Sequence, residues 1–180
     1  VGNFVADEIA PVAHHMDANP LKLVDGEVEG SKEYDAIFEN LAEMGLHGLC
    51  LPREFGGMNA PLMVYMLNAE LFARADVSLM THHSFHGGIA LALLFYSVME
   101  GSTEFDFDTM KLAKSRFKEV IEEICEGKAW GSMDITEPNA GSDMAALRCK
   151  GECDSDGQWT VTGEKCFITS GHGKYHLVIA

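Results

Sequence analysis

Residues 133–143, Met133-Asp134-Ile135-Thr136-Glu137-Pro138-Asn139-Ala140-Gly141-Ser142-Asp143, join a strand pattern to a turn of small polar residues. Gly141 allows a close approach of the backbone at this turn. Thr136 and Ser142 can each donate and accept a hydrogen bond. The composition predicts a loop that can line a polar ligand, although an ordinary turn can have the same residues.

A second segment, Lys165-Cys166-Phe167-Ile168-Thr169-Ser170-Gly171, lies further along the chain. Its apolar residues alternate with polar ones, which predicts a strand. On a strand, Phe167 and Thr169 share one face because side chains alternate with a period of two. An aromatic ring beside a hydroxyl suits a flat heteroaromatic ligand, although the end of an ordinary strand can look the same.

The residues up to about 127 have the apolar spacing of helices. Pro11 is predicted to kink or break the first helix, and Ser31 to cap the second. Gly127 is predicted to end the last helix. Pro52 to Pro61 is predicted to be a structured loop. Five helices are predicted, marked by apolar residues at 5–16, 34–44, 62–73, 78–99 and 110–124. The fourth is apolar on nearly all sides, as expected of a helix at the centre of a bundle.

After Gly127 the period changes to two, which predicts strands. Asp156-Gly157 is a hairpin turn signal, and 175–180 is predicted to be a strand that the chain does not complete. Trp130 and Trp159 are predicted to lie in the core of this β part. The predicted fold is α+β, with an N-terminal helical bundle (1–127) followed by a partial, truncated β domain (128–180).

The composition limits the classes of function. The formal net charge of −15 argues against a nucleic-acid surface and against electrostatic attachment to an anionic membrane. The longest apolar run, Gly87 to Met99, is shorter than the roughly 20 residues that cross a bilayer. The five scattered cysteines predict reduced thiols rather than a disulfide framework. A cytoplasmic protein is expected.

Taken together, the two segments resemble the acyl-CoA dehydrogenase family. Residues 136–143 follow the pattern T-E-P-x-A-G-S-D, and 163–171 follow G-x-K-x-[WF]-I-[TS]-x-G. Residues 46–57 are similar to that family's G-L-x-x-P-x-x-[YF]-G-G loop, and 74–78 to the start of its central helix. The resemblance implies a helical domain, the beginning of a β-barrel domain, and a C-terminal four-helix domain that is absent from this chain.

The resemblance also implies roles for particular residues. Thr136 matches the threonine that hydrogen-bonds the pyrimidine edge of the FAD cofactor, and Thr169 the hydroxyl near flavin N5. Phe167 stands where a tryptophan often packs on the flavin, and Ile168 belongs to the same contact. The resemblance places Ser142 and Met133 on the acyl-CoA side. Met133 stands at a position where many members of the family have an aromatic residue.

The implied reaction removes the α-proton of an acyl-CoA and transfers the β-hydrogen as hydride to the flavin, giving a trans-2-enoyl-CoA. The base must be a carboxylate with a raised pKa. The family's base is a glutamate of the C-terminal domain, so no catalytic residue is assigned here and the chain alone is expected to be inactive. The expected electron acceptor is an electron-transfer flavoprotein, and the full-length protein is expected to be a tetramer or dimer.

Several alternatives remain open at this point. An acyl-CoA oxidase or a flavin monooxygenase would share the fold, and a non-catalytic helical interaction module would bind no flavin. His82 and His86 share a helix face, beside His83, and are predicted to pack or to lie near the substrate mouth rather than to bind a metal. Glu137 and Asp143 are expected to hold the loop through backbone hydrogen bonds, and Lys165 to be a solvated neighbour.

Overall fold

The computed structural model describes all 180 residues and shows an α+β chain with its helices in the N-terminal part. The helices are α1 (Gly2–Phe4), which continues as a π-helix (Val5–Ile9), α2 (Ala13–Ala18), α3 (Lys32–Glu43), α4 (Leu62–Ala75), α5 (Val77–Met99) and α6 (Lys118–Cys125). The strands are β1 (Lys22–Val24), β2 (Glu27–Glu29), β3 (Glu104–Asp106), β4 (Lys111–Lys114), β5 (Gly131–Asp134), β6 (Lys150–Cys153), β7 (Trp159–Thr162) and β8 (Tyr175–Val178). The α+β fold class is confirmed.

Local signals in the sequence fix several helix ends. The Ser31 hydroxyl accepts a hydrogen bond from the Tyr34 amide at 3.2 Å, as predicted for an N-cap. The break at Pro11 is confirmed, because residues 10–12 form a turn between the π-helix and α2. Gly127 follows the last helix with a φ of +70°, a conformation in which glycine is favoured.

The loop from Pro52 to Pro61 is folded back on itself, as predicted. It contains a 3₁₀ turn (Arg53–Phe55), and the Asn59 amide donates to the Leu51 carbonyl at 2.8 Å. A Cβ atom at Gly57 would lie 2.1 Å from that carbonyl oxygen, so only glycine permits this approach. Helix α4 begins directly after this loop, with Pro61 at its N-cap position.

The helical packing holds two apolar clusters. The larger joins the first helix, α3, α4 and the start of α5, and the second joins α5 to α6 and the 52–61 loop. The prediction that α5 is central throughout is wrong for its C-terminal half, where Leu91, Phe95, Val98 and Met99 are exposed. None of the helices is long and apolar enough to cross a bilayer.

The prediction of a helix from Met110 is wrong. Residues 104–114 form the antiparallel hairpin β3–β4, and Met110 lies in its turn with a φ of +54°. The Asp106 carboxylate accepts hydrogen bonds from the amides of Asp108 and Thr109. This side-chain turn competes with helix formation, so the helix begins only at Lys118. The polar stretch at 22–29 likewise forms a hairpin, β1–β2.

The β part contains two pairs of strands. β6 and β7 pair antiparallel around the predicted Asp156-Gly157 turn, and β5 pairs with β8 in parallel. Trp159 is 71% exposed, so its assignment to a β core is wrong. Trp130 packs instead against the helical cluster, with its ring edge-to-face with Phe38 at 4.8 Å. A tryptophan that begins the β part is thus an anchor in the helical part.

The predicted strand over 165–171 is also wrong. Residues 163–174 contain no strand, and Phe167 and Ser170 have positive φ angles of +57° and +60°. These conformations interrupt the alternation of a strand, so Phe167 and Thr169 do not share a strand face. The segment, called the 163–174 loop below, instead reaches back to the helical part.

Candidate functional site

The two segments singled out in the sequence meet in the structure. The Cys166 amide donates to the Thr136 carbonyl at 3.0 Å. The Lys165 ammonium donates to the carbonyls of Ile135 and Ile179 at 2.9 and 2.7 Å and to the Glu137 carboxylate at 2.9 Å. Its side chain is only 10% exposed, so the expectation of a solvated lysine is wrong. Lys165 joins three parts of the β region.

Glu137 holds the turn after β5. Its carboxylate accepts hydrogen bonds from the amides of Arg148 at 2.7 Å and Cys149 at 2.9 Å, as well as from Lys165. The Arg148 amide first, and the Lys165 ammonium next, lower the pKa of Glu137 to about 2. The predicted loop-holding role is confirmed for Glu137. It is wrong for Asp143, whose exposed carboxylate makes no such bond.

A cavity of about 510 Å³ lies between the helical part and the 163–174 loop. Ile168 and Thr169 line one side of it, and Tyr34, Leu79 and His82 line the other. Burial raises the pKa of the Tyr34 hydroxyl, which therefore stays protonated at neutral pH. Ile168 and Thr169 are thus at a cavity wall, as a ligand-binding role requires.

The other predicted site residues lie outside this cavity. Phe167 points outward and is 92% exposed, and Met133 and Ser142 are also exposed. Thr136 is half-buried next to Cys166. The structure therefore brings Thr136, Phe167, Ile168 and Thr169 into one region, and gives no contact that joins Met133 or Ser142 to it.

A cluster of buried histidines forms the helical wall behind the cavity. His82 and His86 of α5 have ring centroids 4.8 Å apart, and His47 lies 5.3 Å from His83 and 5.6 Å from His86. The packing role predicted for the α5 histidines is confirmed, because all are buried. No group of three or more His, Cys, Asp or Glu side chains is arranged to hold a metal ion.

These imidazoles are held in the neutral form. Burial first, and neighbouring histidines next, lower the pKa of His82 and His83 to about 3 and that of His86 further. Burial lowers the pKa of His47 to about 4. Each of the four rings has at least one nitrogen without a hydrogen-bond partner. Protonation of the cluster would therefore place uncompensated charge in the core.

Two hydrogen bonds connect this cluster to the β part. The His82 Nδ1 atom pairs with the Ser170 hydroxyl, and the Gly131 amide donates to His86 Nδ1 at 3.4 Å. His82 also stacks on Trp130 at 4.8 Å and on His172 at 5.4 Å. Sequence reasoning noted the α5 histidines but gave no signal for their partners, which lie far along the chain.

Ser132, Asp134 and His176 have the residue types of a hydrolytic triad, and sequence reasoning missed them. His176 Nδ1 lies 2.8 Å from the Ser132 hydroxyl and 2.9 Å from Asp134 Oδ2, while its Nε2 lies 2.9 Å from the Gly173 carbonyl. A triad needs the serine and the aspartate on opposite ring nitrogens. Ser132 is also fully buried, so this trio fastens β5 to β8 and offers no nucleophile.

The region around Thr136 and the 163–174 loop fits the FAD that the sequence resemblance implies. It contains the half-buried residues Thr136 and Thr169 and the exposed ring of Phe167. The amides of Phe167, Ile168 and Thr169 donate to no backbone carbonyl of the chain. Free donors beside an exposed ring match a flat heteroaromatic group whose edge carries carbonyl and nitrogen acceptors.

Comparison with known proteins gives a consistent result. Residues 1–101 match the family model described as "Acyl-CoA dehydrogenase, N-terminal domain". The chain is 28% identical to 3-methylmercaptopropionyl-CoA dehydrogenase of Ruegeria pomeroyi, over 99% of this chain and 29% of that protein. It is 26% identical to mitochondrial isovaleryl-CoA dehydrogenase of Arabidopsis thaliana, over 99% of this chain and 38% of that protein. The chain thus spans about a third of the length of these relatives.

Solved structures share the fold. Butyryl-CoA dehydrogenase from Megasphaera elsdenii has a TM-score of 0.69 and 22% identity, over 98% of this chain and 41% of that one. An acyl-CoA dehydrogenase from Bacillus anthracis, solved in complex with FAD, has a TM-score of 0.69 and 21% identity, over 96% of this chain and 25% of that one. The arrangement of helices and strands described above is therefore one that solved proteins adopt.

Proposed function

This chain belongs to the acyl-CoA dehydrogenase family, and on that premise we propose that its protein α,β-dehydrogenates an acyl-CoA thioester to a trans-2-enoyl-CoA. The observation that carries the proposal is the meeting of Thr136 with the 163–174 loop beside the cavity. Two segments that match separate family motifs are brought together there with free hydrogen-bond donors. Bound FAD would supply the redox chemistry by accepting the β-hydrogen as hydride.

The proposed cofactor contacts come from four residues. The hydroxyls of Thr136 and Thr169 would donate hydrogen bonds to the flavin, and the exposed ring of Phe167 would pack on it. Ile168 contributes an apolar contact and lines the cavity next to Thr169. Because Phe167 is almost fully exposed in the chain, binding of a flat ring would remove its apolar surface from water at little cost to the existing packing.

On the acyl-CoA side, we assign Met133 and Ser142 to the substrate. Both are exposed, which leaves part of each side chain accessible to a ligand. Met133 alternates along β5 with the buried Ser132 and Asp134, so its side chain is on the opposite face of the strand. A flexible thioether there can adapt to differently shaped acyl groups.

The catalytic base is proposed to lie outside residues 1–180. Abstraction of a weakly acidic α-proton needs a carboxylate whose pKa is raised towards neutrality. Every carboxyl group here whose pKa is displaced is displaced downwards: Glu33, Glu100, Asp106, Glu123 and Glu137. Near the cavity, Asp76 caps α5 through the Leu79 amide. The environment of the five carboxyl groups with a lowered pKa favours the charged form, which is the opposite of what the base requires.

Four further parts complete the proposal: the electron acceptor, the oligomeric state, the extent of the helical and β parts, and the activity of residues 1–180 alone. The reduced cofactor would pass its electrons to an electron-transfer flavoprotein, and the full-length protein would form a tetramer or dimer. The helical part would extend over 1–127 and the β part over 128–180. Residues 1–180 alone would not turn over, because they lack the base.

The testing experiment is a visible absorption spectrum of the complete gene product, purified without added cofactor, before and after anaerobic addition of acyl-CoAs. A yellow protein that one acyl-CoA bleaches supports the dehydrogenase and identifies its substrate class in the same titration. A protein that stays colourless after FAD is supplied refutes the proposal. Slow reaction of the reduced protein with oxygen would distinguish a dehydrogenase from an oxidase.

A further inference from the structure

We infer that His82 is a positioning residue that, through Ser170, holds the Thr169 hydroxyl at the wall of the cavity. The inference rests on the proposed function, because Thr169 is one of the proposed flavin contacts. It adds a residue of the helical part to a site whose other members all belong to the β part. His82 itself is not assigned a contact with the flavin or the substrate.

The hydrogen bond between His82 Nδ1 and the Ser170 hydroxyl spans 88 positions of the chain. It is the only side-chain hydrogen bond between α5 and the 163–174 loop, and both residues are buried. Next to Ser170 the backbone bonds are local: Gly171 N to Ile168 O at 3.2 Å and Gly173 N to Ser170 O at 2.8 Å. The other long-range bonds of the loop are made near its two ends, by Lys165, Cys166 and Lys174. The long-range link at this point therefore passes through one pair of side chains.

The backbone at Ser170 needs such a link. Its φ of +60° is unfavourable for a residue other than glycine, and it persists only where the surroundings hold it. The bond to His82 holds the side chain, while the Gly173 amide holds the carbonyl. Thr169 precedes Ser170 directly, so release of Ser170 would let Thr169 leave the cavity wall.

The ring of His82 is well suited to this role because it is itself immobilised. It stacks on Trp130 and His172 and lies edge-on to Phe38 at 5.0 Å. Trp130 in turn packs against the helical cluster. A side chain held on several sides fixes its hydrogen-bond partner more precisely than a mobile one would.

The test compares variants of the complete gene product by hydrogen exchange and by FAD binding. His82→Phe keeps a ring but removes the hydrogen bond, and Ser170→Ala removes its partner without changing the demand on φ. His82→Asn restores a hydrogen-bonding atom near the position of Nδ1. His83→Phe is the matched control, since His83 is a neighbouring buried histidine of α5 with no contact to the loop.

We expect amide exchange at Gly171 and Gly173 to become about three- to tenfold faster in His82→Phe and in Ser170→Ala, the range for loss of one buried hydrogen bond. The dissociation constant of FAD should rise by a similar factor, and the visible spectrum of the bound flavin should shift. The double variant should be no worse than either single one, because both remove the same bond. His82→Asn should recover most of the slow exchange and of the FAD affinity, and His83→Phe should leave exchange in the loop unchanged.

The failures can be told apart. If the unaltered protein binds no FAD, both the proposed function and the flavin part of this inference are refuted. The exchange rates still decide whether His82 holds the loop. If the unaltered protein is yellow but His82→Phe and Ser170→Ala exchange and bind FAD normally, the positioning role is refuted. Additive effects in the double variant would also overturn it.

Discussion

Acidification below pH 6.5 should progressively destabilise this protein through its buried histidines. In the unfolded chain an imidazole takes up a proton near its ordinary pKa of 6.5, whereas His47, His82, His83 and His86 stay neutral when folded. A fall in pH below 6.5 therefore adds protons to the unfolded state alone, and the free energy of unfolding decreases. Above pH 6.5 both states are neutral and the cluster makes no pH-dependent contribution.

The magnitude follows from the displaced pKa values. Each pH unit below 6.5 costs about 1.4 kcal/mol per histidine until the folded pKa is reached. At pH 5 the folded pKa of each of the four histidines still lies below the pH, so each lowers the free energy of unfolding by about 2 kcal/mol, or about 8 kcal/mol together. A domain of this size has a stability of about 5–15 kcal/mol, so unfolding near pH 5 is expected.

The carboxylates act in a separate window. The pKa of Glu137 is lowered to about 2 in the folded chain, against 4.5 in the unfolded chain. Glu137 therefore contributes its full stability above pH 4.5, and this contribution is lost as the pH falls towards 2. A loss of stability between pH 6.5 and 5 is thus assigned to the histidines and not to this ion pair.

The assay is urea denaturation at pH steps from 7.5 to 5, followed by tryptophan fluorescence. His83→Phe should reduce the slope of the unfolding free energy against pH by about 1.4 kcal/mol per pH unit, since one buried titrating group is removed. His14→Gln, at an exposed position, is the control and should leave the slope unchanged. A free energy of unfolding that is flat from pH 7 to 5, or an unaltered slope in His83→Phe, would refute the reasoning.

Three further outcomes are expected. Lys165→Met should lower Tm by several degrees, as measured by calorimetry, because it leaves the buried Glu137 carboxylate without its cation. Adding Glu137→Gln should recover part of that loss, and a double variant with no recovery would contradict the pairing. Gly131→Ala should lower the free energy of unfolding by about 1–3 kcal/mol, since its Cβ would lie 2.9 Å from Ile89, and adding Ile89→Ala should relieve that clash. Fully additive losses of the two single variants in urea denaturation would argue against the clash. Phe167→Ala should weaken FAD binding about three- to tenfold with no change in Tm, as the ring is exposed; a lower Tm by differential scanning fluorimetry would show that the ring packs within the chain.

The parts of the fold that the sequence predicts well are those set by nearby residues. Ser31 caps α3 with its own hydroxyl, and the Asp156-Gly157 turn joins β6 to β7. Such features are determined by residues a few positions away, so a single sequence is enough to predict them. The helix predicted from Met110 failed for a reason of the same kind, because the turn formed by the Asp106 side chain was not weighed against the apolar spacing.

The candidate site divides in the same way. The motifs at Thr136 and at 163–171 resemble those of the family, and the structure joins them. The positive φ angles at Phe167 and Ser170 could not be predicted, because partners from the helical part hold Ser170. The burial of Lys165 was missed for a similar reason. Two of its three acceptors are main-chain carbonyls, and those leave no trace in residue identity.

The backbone groups around Lys165 and Glu137 also determine which position of the ion pair carries which charge. The lysine is surrounded by carbonyl oxygens, which attract a cation, and the glutamate by amide hydrogens, which attract an anion. An exchange of the two residues would preserve net charge and the pairing of opposite charges, but each would then face backbone dipoles of its own sign. Among homologous sequences these two positions should therefore vary together only by becoming neutral together, and never by trading places.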